Sequence, residues 1–227
     1  RRDLKLGALT LRSEPLAAPD SQKVLKALLR GIRKQGLQCL PWTKSLKRWQ
    51  ERVCFLRRVS GDEQLWPDVS DEGLESHLMQ WLAPYLTAMT RLRDLARVEL
   101  KAALFRLLPH RQHQLLDELA PTHLVVPSGS RIPIDYSGDV PVLAVRLQEM
   151  FGLAQTPSVA GGRQPLLIHL LSPAGRPVQI TLDLAGFWQS GYHEVKRELK
   201  GRYPKHYWPD DPLQAQATAG VKPQSKK

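Results

Sequence analysis

The stretch PTHLVVPSGSRIPIDYSG, residues 121–138, marks a change of texture in the chain. Two short runs, THLVVPS and RIPIDYS, flank the turn Ser128-Gly129-Ser130 and read as paired strands. Downstream, LLIHLLS (166–172) and PVQITLD (177–183) flank Pro173-Ala174-Gly175-Arg176, a second hairpin. Between them, PVLAVRLQEMF (141–151) begins like a strand. Val142, Val145, Leu147 and Met150 can nonetheless share a helical face with Gly152 behind them, so a helix is expected. Asp183 is placed to cap a last helix striped by Leu184, Phe187, Trp188, Val195 and Leu199, although Gly186 and Gly191 disfavour it. Residues 201–212 read as extended, and the chain from Leu213 reads as disordered.

Upstream of Pro121 the pattern is helical. Asp20 and Ser21 offer an N-cap, Val24, Leu25, Leu28, Leu29 and Ile32 form one face, and Gly36 is the stop. Thr43 caps a second helix with Leu46, Trp49, Val53 and Leu56 on its stripe. Ser70 caps a third, carrying Leu74, Leu78, Trp81, Leu82 and Tyr85 up to Pro84. A fourth is expected from about Asp94 to Leu108, and a fifth is opened by Pro109. Residues 1–12, RRDLKLGALTLR, alternate like a single strand that must complete a sheet found elsewhere. The fold class expected is α+β: a helical N-terminal part followed by a small mixed β-sheet domain with two packing helices.

The 227 residues carry 42% hydrophobic and 24% charged side chains, which excludes wholesale disorder. No apolar run approaches the roughly 18 residues of a membrane span. No apolar core follows Arg1-Arg2-Asp3 as a secretory signal requires. Cys39 and Cys54 are too few for a disulfide framework and fit a reducing cytosol. The chain starts without Met, on a strand-like pattern, and reads as a piece of a longer protein. Net charge is +11, unevenly spread: +11 over residues 1–60, −4 over 61–127, zero over 128–190 and +4 over 191–227. Basic ends suggest phosphate-bearing partners, or docking onto an acidic neighbour.

Catalytic signatures are missing. No Gly-rich loop ends in Lys-Ser or Lys-Thr, and no GxSxG elbow is present. His110, His113 and Asp117 at i, i+3, i+7 could line a zinc shell, but such spacing is ordinary on a polar helical face. His169, inside an apolar strand, reads as a hydrogen-bonded core residue, and Cys54 as a buried structural thiol. Asp135 and Asp183 lie near strand ends, where a carboxylate pair could in principle meet.

The C-terminal helix and its extension differ. Lys196, Arg197, Lys200, Arg202 and Lys205 lie close in sequence, interleaved with Tyr192, Tyr203, His206, Tyr207 and Trp208. Cations neutralise phosphates and flat rings stack on unpaired bases, a mixture suited to single-stranded RNA or DNA. The competing reading is that Tyr203, Tyr207 and Trp208 pin an extended segment to the surface. Arg131, Arg163 and Arg176 extend the same cationic surface if the fold brings them together.

The run from residue 121 through PVLAVRLQEMFGLAQTPSVAGGRQPLLIHLLSPAGRPVQITLDLAGFW (141–188) to YHEVKRELKGRYPKHYWPDDP (192–212) resembles the C-terminal region of bacterial HrpB-type DEAH-box ATP-dependent helicases. LGALTLRSEPL (6–16), LLRGIRKQGLQCLPW (28–42) and PDVSDEGLESHLMQWLAPYL (67–86) resemble the segment just before it. The resemblance implies residues 1–17 as a strand remnant of an OB-like domain and 121–212 as the α+β HrpB-type C-terminal domain; the residue pattern makes 18–120 a helical domain and 213–227 a disordered tail. It implies a cytoplasmic accessory module whose partners are RNA or DNA and the motor domains of the same full-length chain, with no membrane. ATP and Mg2+ belong to those motor domains, whose Walker A lysine and DEAH box have no counterpart here. No catalytic or metal-ligating residue is carried onto this chain. The alternative role is a docking or regulatory module that presses the basic helices of residues 23–58 onto the motor domains and tunes ATPase activity.

Overall fold

The computed structural model describes residues 2–14, 20–62 and 64–222. A hairpin, β1 (Arg2–Leu6) and β2 (Leu9–Glu14), precedes α1 (Ser21–Gln35) and α2 (Lys44–Ser60). Then come α3 (Asp71–Ser76), α4 (Leu78–Trp81), α5 (Leu100–Phe105) and α6 (His110–Leu119). The β-rich part follows: β3 (His123–Val125), β4 (Arg131–Asp135), β5 (Val142–Arg146), β6 (Ser158–Val159), β7 (Gln164–Pro165), β8 (Leu167–Leu171) and β9 (Pro177–Thr181). A last helix runs through α7 (Leu184–Gly186), a π-helical turn (Phe187–Gly191) and α8 (Tyr192–Arg202). The class is α+β, as expected.

The chain divides into two compact units: Arg1–Leu46 with Val69–Leu108, and Lys47–Asp68 with Pro109–Lys227. The division differs from the expected boundary after residue 120, because most of α2 belongs with the β-rich unit.

In the first unit, local chemistry sets the helix ends. The Asp20 carboxylate accepts from the Gln22 and Lys23 amides, and Gly36 at φ 80° closes α1. Residues 2–14 form two strands rather than one, because Gly7 at φ 59° turns the chain and sets Leu6 opposite Leu9. The third expected helix breaks at His77, where the Gly73 carbonyl accepts both the His77 amide and the Ser76 hydroxyl. The fourth is replaced by a 3-10 turn (Leu92–Arg97) and the short α5, with extended Val98 between them. There the Asp94 carboxylate accepts from the Thr90 and Arg91 amides, and those bonds and the adjacent Arg97 hold its carboxyl below the usual range.

The second unit is built on a five-stranded sheet in the order β3-β4-β5-β8-β9, antiparallel except for the parallel pair β5–β8. Residues 141–151 therefore do not form the expected helix. Leu143 and Val145 are buried while Ala144 and Arg146 are exposed, a period of two, and only Leu147–Glu149 make a helical turn. Parallel pairing with β8 decides the matter, a tertiary contact the local pattern does not carry. Ile134, Leu143, Val145, Ile168 and Leu170 form the buried face. His169 lies on the other, half-exposed face, beside Ala144 and the exposed Ile180, so it is not a core residue.

Aromatic rings fill the space beyond β5. Phe151 packs against Trp188, Tyr192 and Tyr207 with centroids 6.1–6.2 Å apart. Phe187 in turn packs on Trp188 and Tyr192, and Gly191 leaves room for it, since a Cβ there would come within 2.9 Å of the Phe187 ring. Gly191 thus disfavours the last helix locally but leaves room for its packing, while a Cβ at Gly186 would meet the Asp183 carboxylate that caps the helix.

Residues 213–222 have no regular structure but are not disordered as expected. The Gly152 amide donates to Pro212 O at 2.9 Å, Thr218 N to Gln148 O at 3.0 Å, and Tyr207 N to Val221 O at 3.0 Å. Polar composition hides these backbone bonds from a sequence reading. The remainder of the expected tail, residues 223–227, lies outside the described residues.

Candidate nucleic-acid interface

The cations of α8 do not act alike. Lys196 is mostly buried and its Nζ donates to the Asp210 carboxylate, so its charge is internally matched. Those contacts with Lys196 hold the Asp210 carboxyl below the usual range. Arg202 pairs loosely with Glu198 at 3.5 Å, one turn back. Arg197, Lys200 and Lys205 are exposed. His193, Lys196, Arg197, Lys200, Gly201 and Pro204 line an open groove of about 470 Å³.

The rings expected to stack on bases are mostly spent on the fold. Tyr192 is buried and its hydroxyl donates to Pro209 O at 2.8 Å, with burial pushing the phenol above its usual range. Trp208 is buried and its indole N–H donates to Tyr203 O at 2.9 Å. Tyr207 packs on Phe151, and His206 Nδ1 meets Gln148 Oε1 at 3.1 Å. Tyr203, His206 and Tyr207 are each half-exposed, and Tyr203, at the end of α8, sets its ring edge-on to His206. The pinning role, the competing reading of these residues, is the one the contacts support.

The three outlying arginines separate. Arg131 opens β4 and Arg176 sits in the β8–β9 turn, both at the end of the sheet where β5 and β8 finish. Arg163 sits in the β6–β7 turn, whose Ala160 amide donates to Leu119 O, at the opposite end of β8. The sheet end also holds Arg146, the last residue of β5. Expecting a helix over 141–151 concealed it. The Gln148–His206 contact brings the end of α8 to this place, and Arg146 lies near enough to act on His206. Burial, and then the Arg146 charge, pull the His206 imidazole below its ordinary value.

Much of the basic character of α2 is internal. Arg52 is buried and its guanidinium reaches Ala120 O, Leu116 O at 3.0 Å and Asp117. Arg57 donates to Trp66 O, and Arg58 to Gly138 O and Asp139 O. Among the described residues no group of three or more His, Cys, Asp or Glu is arranged to hold a metal. Asp117, one of the three candidate ligands, is taken by Arg52. Asp135 and Asp183 lie on β4 and just after β9, three strands apart, too far to share a proton. Asp183 instead accepts from the Gly186 amide at 2.9 Å as a helix cap. Cys54 is half-buried rather than buried.

The β-rich unit thus combines a mixed sheet, a C-terminal helix and an extended tail, with cations at one sheet end. Residues 81–212 match the family described as ATP-dependent helicase C-terminal, and the chain belongs to this HrpB C-terminal family. It is 46% identical over 223 residues to the ATP-dependent RNA helicase HrpB of Escherichia coli K12, covering 97% of this chain and 27% of that protein. Two solved structures are similar. The E. coli DExH-box NTPase HrpB has a TM-score of 0.80 at 46% identity, covering 95% of this chain and 27% of that one. The E. coli DEAH/RHA helicase HrpB has a TM-score of 0.68 at 44% identity, covering 91% and 26%. The chain thus spans about a quarter of the relatives it matches.

Proposed function

We propose that the chain acts as the C-terminal accessory module of an HrpB-like ATP-dependent RNA helicase and contacts nucleic acid through the β-rich unit. The observation that supports this most is the continuity of unmatched positive charge. Arg197, Lys200 and Lys205 on and after α8 lead, through His206, to Arg146 at the sheet end. Arg131 and Arg176 belong to that surface, and Arg202 joins it where Glu198 releases it. Lys196 is excluded by Asp210, Tyr203 is the half-exposed tyrosine not packed on Phe151, and Arg163 stands apart. Nucleotide-driven work, with ATP and Mg2+, is assigned to motor domains of the full-length protein in the cytoplasm.

With most of these rings engaged in packing or hydrogen bonds within the fold, the ring-stacking reason for preferring single strands is weakened, and the contact is mainly with phosphates. Such contacts release counterions, so affinity falls steeply with salt. Titrating the chain with single- and double-stranded RNA and DNA at 50 and 200 mM salt tests the reading. Salt-independent binding, or none, would refute it.

A second reading, docking onto protein, is favoured by one feature of the first unit. Val24, Leu25, Leu86 and Met89 line a largely apolar groove of about 480 Å³. The exposed Lys23, Lys26 and Arg30 of α1 lie near it in sequence. On this reading α1, rather than the internally committed cations of α2, meets the motor domains and tunes ATPase turnover.

A further inference from the structure

We propose that Arg131, Arg146 and Arg176 form a phosphate-binding comb across one end of the five-stranded sheet, centred on Arg146. It would grip the sugar–phosphate backbone of a nucleic-acid strand without reading its bases. The inference rests on the nucleic-acid reading above and assigns it a place and a mode.

Register supplies the geometry. β4 pairs with β5 at Ile134–Leu143 and Asp135–Val142, and the same register carried three residues further puts Arg131, itself paired with Val125 of β3, level with Arg146. Pro133 lies between and can donate no ladder bond. On the other side of β5, Arg146 is level with Leu171 of β8, which is level with Pro177 of β9. Arg176 precedes that proline, its amide held by the Ser172 hydroxyl at 3.2 Å and its carbonyl by the Ser172 amide at 2.8 Å. Neighbouring strands are ~4.8 Å apart, so the backbone positions of the three arginines fall at one sheet end within about three strand spacings.

Like charges directly opposite on neighbouring strands repel. Arg131 and Arg146 nevertheless lie at the same end of the sheet, and among the described residues neither they nor Arg176 has a carboxylate partner. Asp135 and Asp183 lie at the far ends of their strands. Glu149, three residues beyond Arg146, is buried and accepts from the Ser128 hydroxyl at 2.9 Å. An external anion is what the arrangement lacks. A guanidinium offers a planar fork of donors that phosphate accepts in pairs, and spaced forks suit a repeating anion. Lys205 beside His206 and the exposed Lys222 prolong the charge away from the comb. No exposed aromatic ring accompanies these arginines on β4, β5 or the β8–β9 turn, so base stacking has no platform there.

The test is fluorescence anisotropy of fluorescein-labelled rU12, rA12 and dT12 with the whole chain at 50 and 200 mM salt. The variants are R146Q, R131Q/R146Q, the charge-keeping R131K/R146K, K200Q/K205Q, and K23Q on α1 as a control for net charge. All change exposed side chains, and thermal melts verify folding. R146Q should weaken all three oligonucleotides by ~3- to 10-fold, and the log–log salt slope should fall by ~0.7 for each single-strand phosphate that is no longer neutralised. R131K/R146K should keep more affinity than the glutamine pair. If K200Q/K205Q weakens binding while R131Q/R146Q binds as the unaltered chain does, the comb is wrong, the nucleic-acid reading survives, and the arginines fall to an acidic protein surface. An equal loss in K23Q would reduce the effect to bulk charge and overturn the comb. If the unaltered chain binds none of the oligonucleotides, both readings fail.

Discussion

Lys196 lies on the Asp210 carboxylate with its own side chain only 13% exposed, while Asp210 is fully open to solvent. The pairing ties the exposed cationic face of α8 to the extended segment after it and removes one positive charge from that face. Substituting Asp210→Asn releases that charge without removing a side chain. Oligonucleotide affinity should rise roughly two- to fivefold, the scale of one exposed ion pair, whereas Lys196→Gln should leave it unchanged. Anisotropy titrations of both variants check this, and a weaker D210N would show that Asp210 does not compete. The pairing also has a pH signature. Because the folded carboxyl titrates below its unfolded value, its contribution is complete above about pH 4 and is lost as pH falls through the folded value.

A second prediction concerns Arg52. Its side chain is 7% exposed and caps the C-terminal end of α6, where two carbonyls and Asp117 would otherwise lack this cationic donor. Cations there also oppose the negative end of the helix dipole. Arg52→Met should cost ~3 kcal/mol of stability, the scale of a buried charge-assisted network. Asp117→Asn should cost less than ~1 kcal/mol because that carboxylate is 76% exposed. Urea unfolding of the two variants separates a capping role from an ordinary surface pair.

Arg52 also shows what the sequence carries and what it hides. In sequence it is one of six cations around a helix stripe and reads as solvated surface; only the carbonyls of α6, more than sixty residues away, make it internal. Caps are the opposite case. Asp20, Thr43, Ser70 and Asp183 each act within three residues, and each accepts the amide that local pattern assigns to it. The two hairpins around Gly129 and Gly175 are legible for the same reason. Arg146 is not, because strand or helix over 141–151 turns on parallel pairing with β8. Nor is the fate of the aromatic rings: stacking platform and packing pin have the same composition, and only Phe151, Gln148 and Pro209 distinguish them.

His206 supplies a pH prediction. Burial and Arg146 lower its folded value below the unfolded one near 6.5. The folded state therefore binds this proton less readily, and the stabilisation is complete above about pH 6.5 and lost as pH falls through the folded value. Unfolding midpoints should drop between pH 7 and 5, and His206→Gln, which can still meet Gln148, should flatten that slope. A slope unchanged in H206Q would move the effect to another group, and an NMR titration of the imidazole would show directly whether its value is lowered.

The extended tail should behave as a structural strap. Its backbone bonds to Gln148 and Tyr207, and the Gln148 side chain's bond to Gly220 O, all fall on residues that connect β5 to the end of α8. Ending the chain after Pro212 removes those bonds, leaves the Gln148 carbonyl and amide without them, and uncovers the approach to His206. A hydrogen bond of this kind is worth ~1 kcal/mol, so the truncated chain should be less stable by ~2–3 kcal/mol. Amide exchange should accelerate at Tyr207 and along the last turn of α8 before it changes in β8. Equal protection in the two chains would mean that the tail merely rests on the surface, and the sheet end would then owe its order to the Phe151–Tyr192–Tyr207 packing alone.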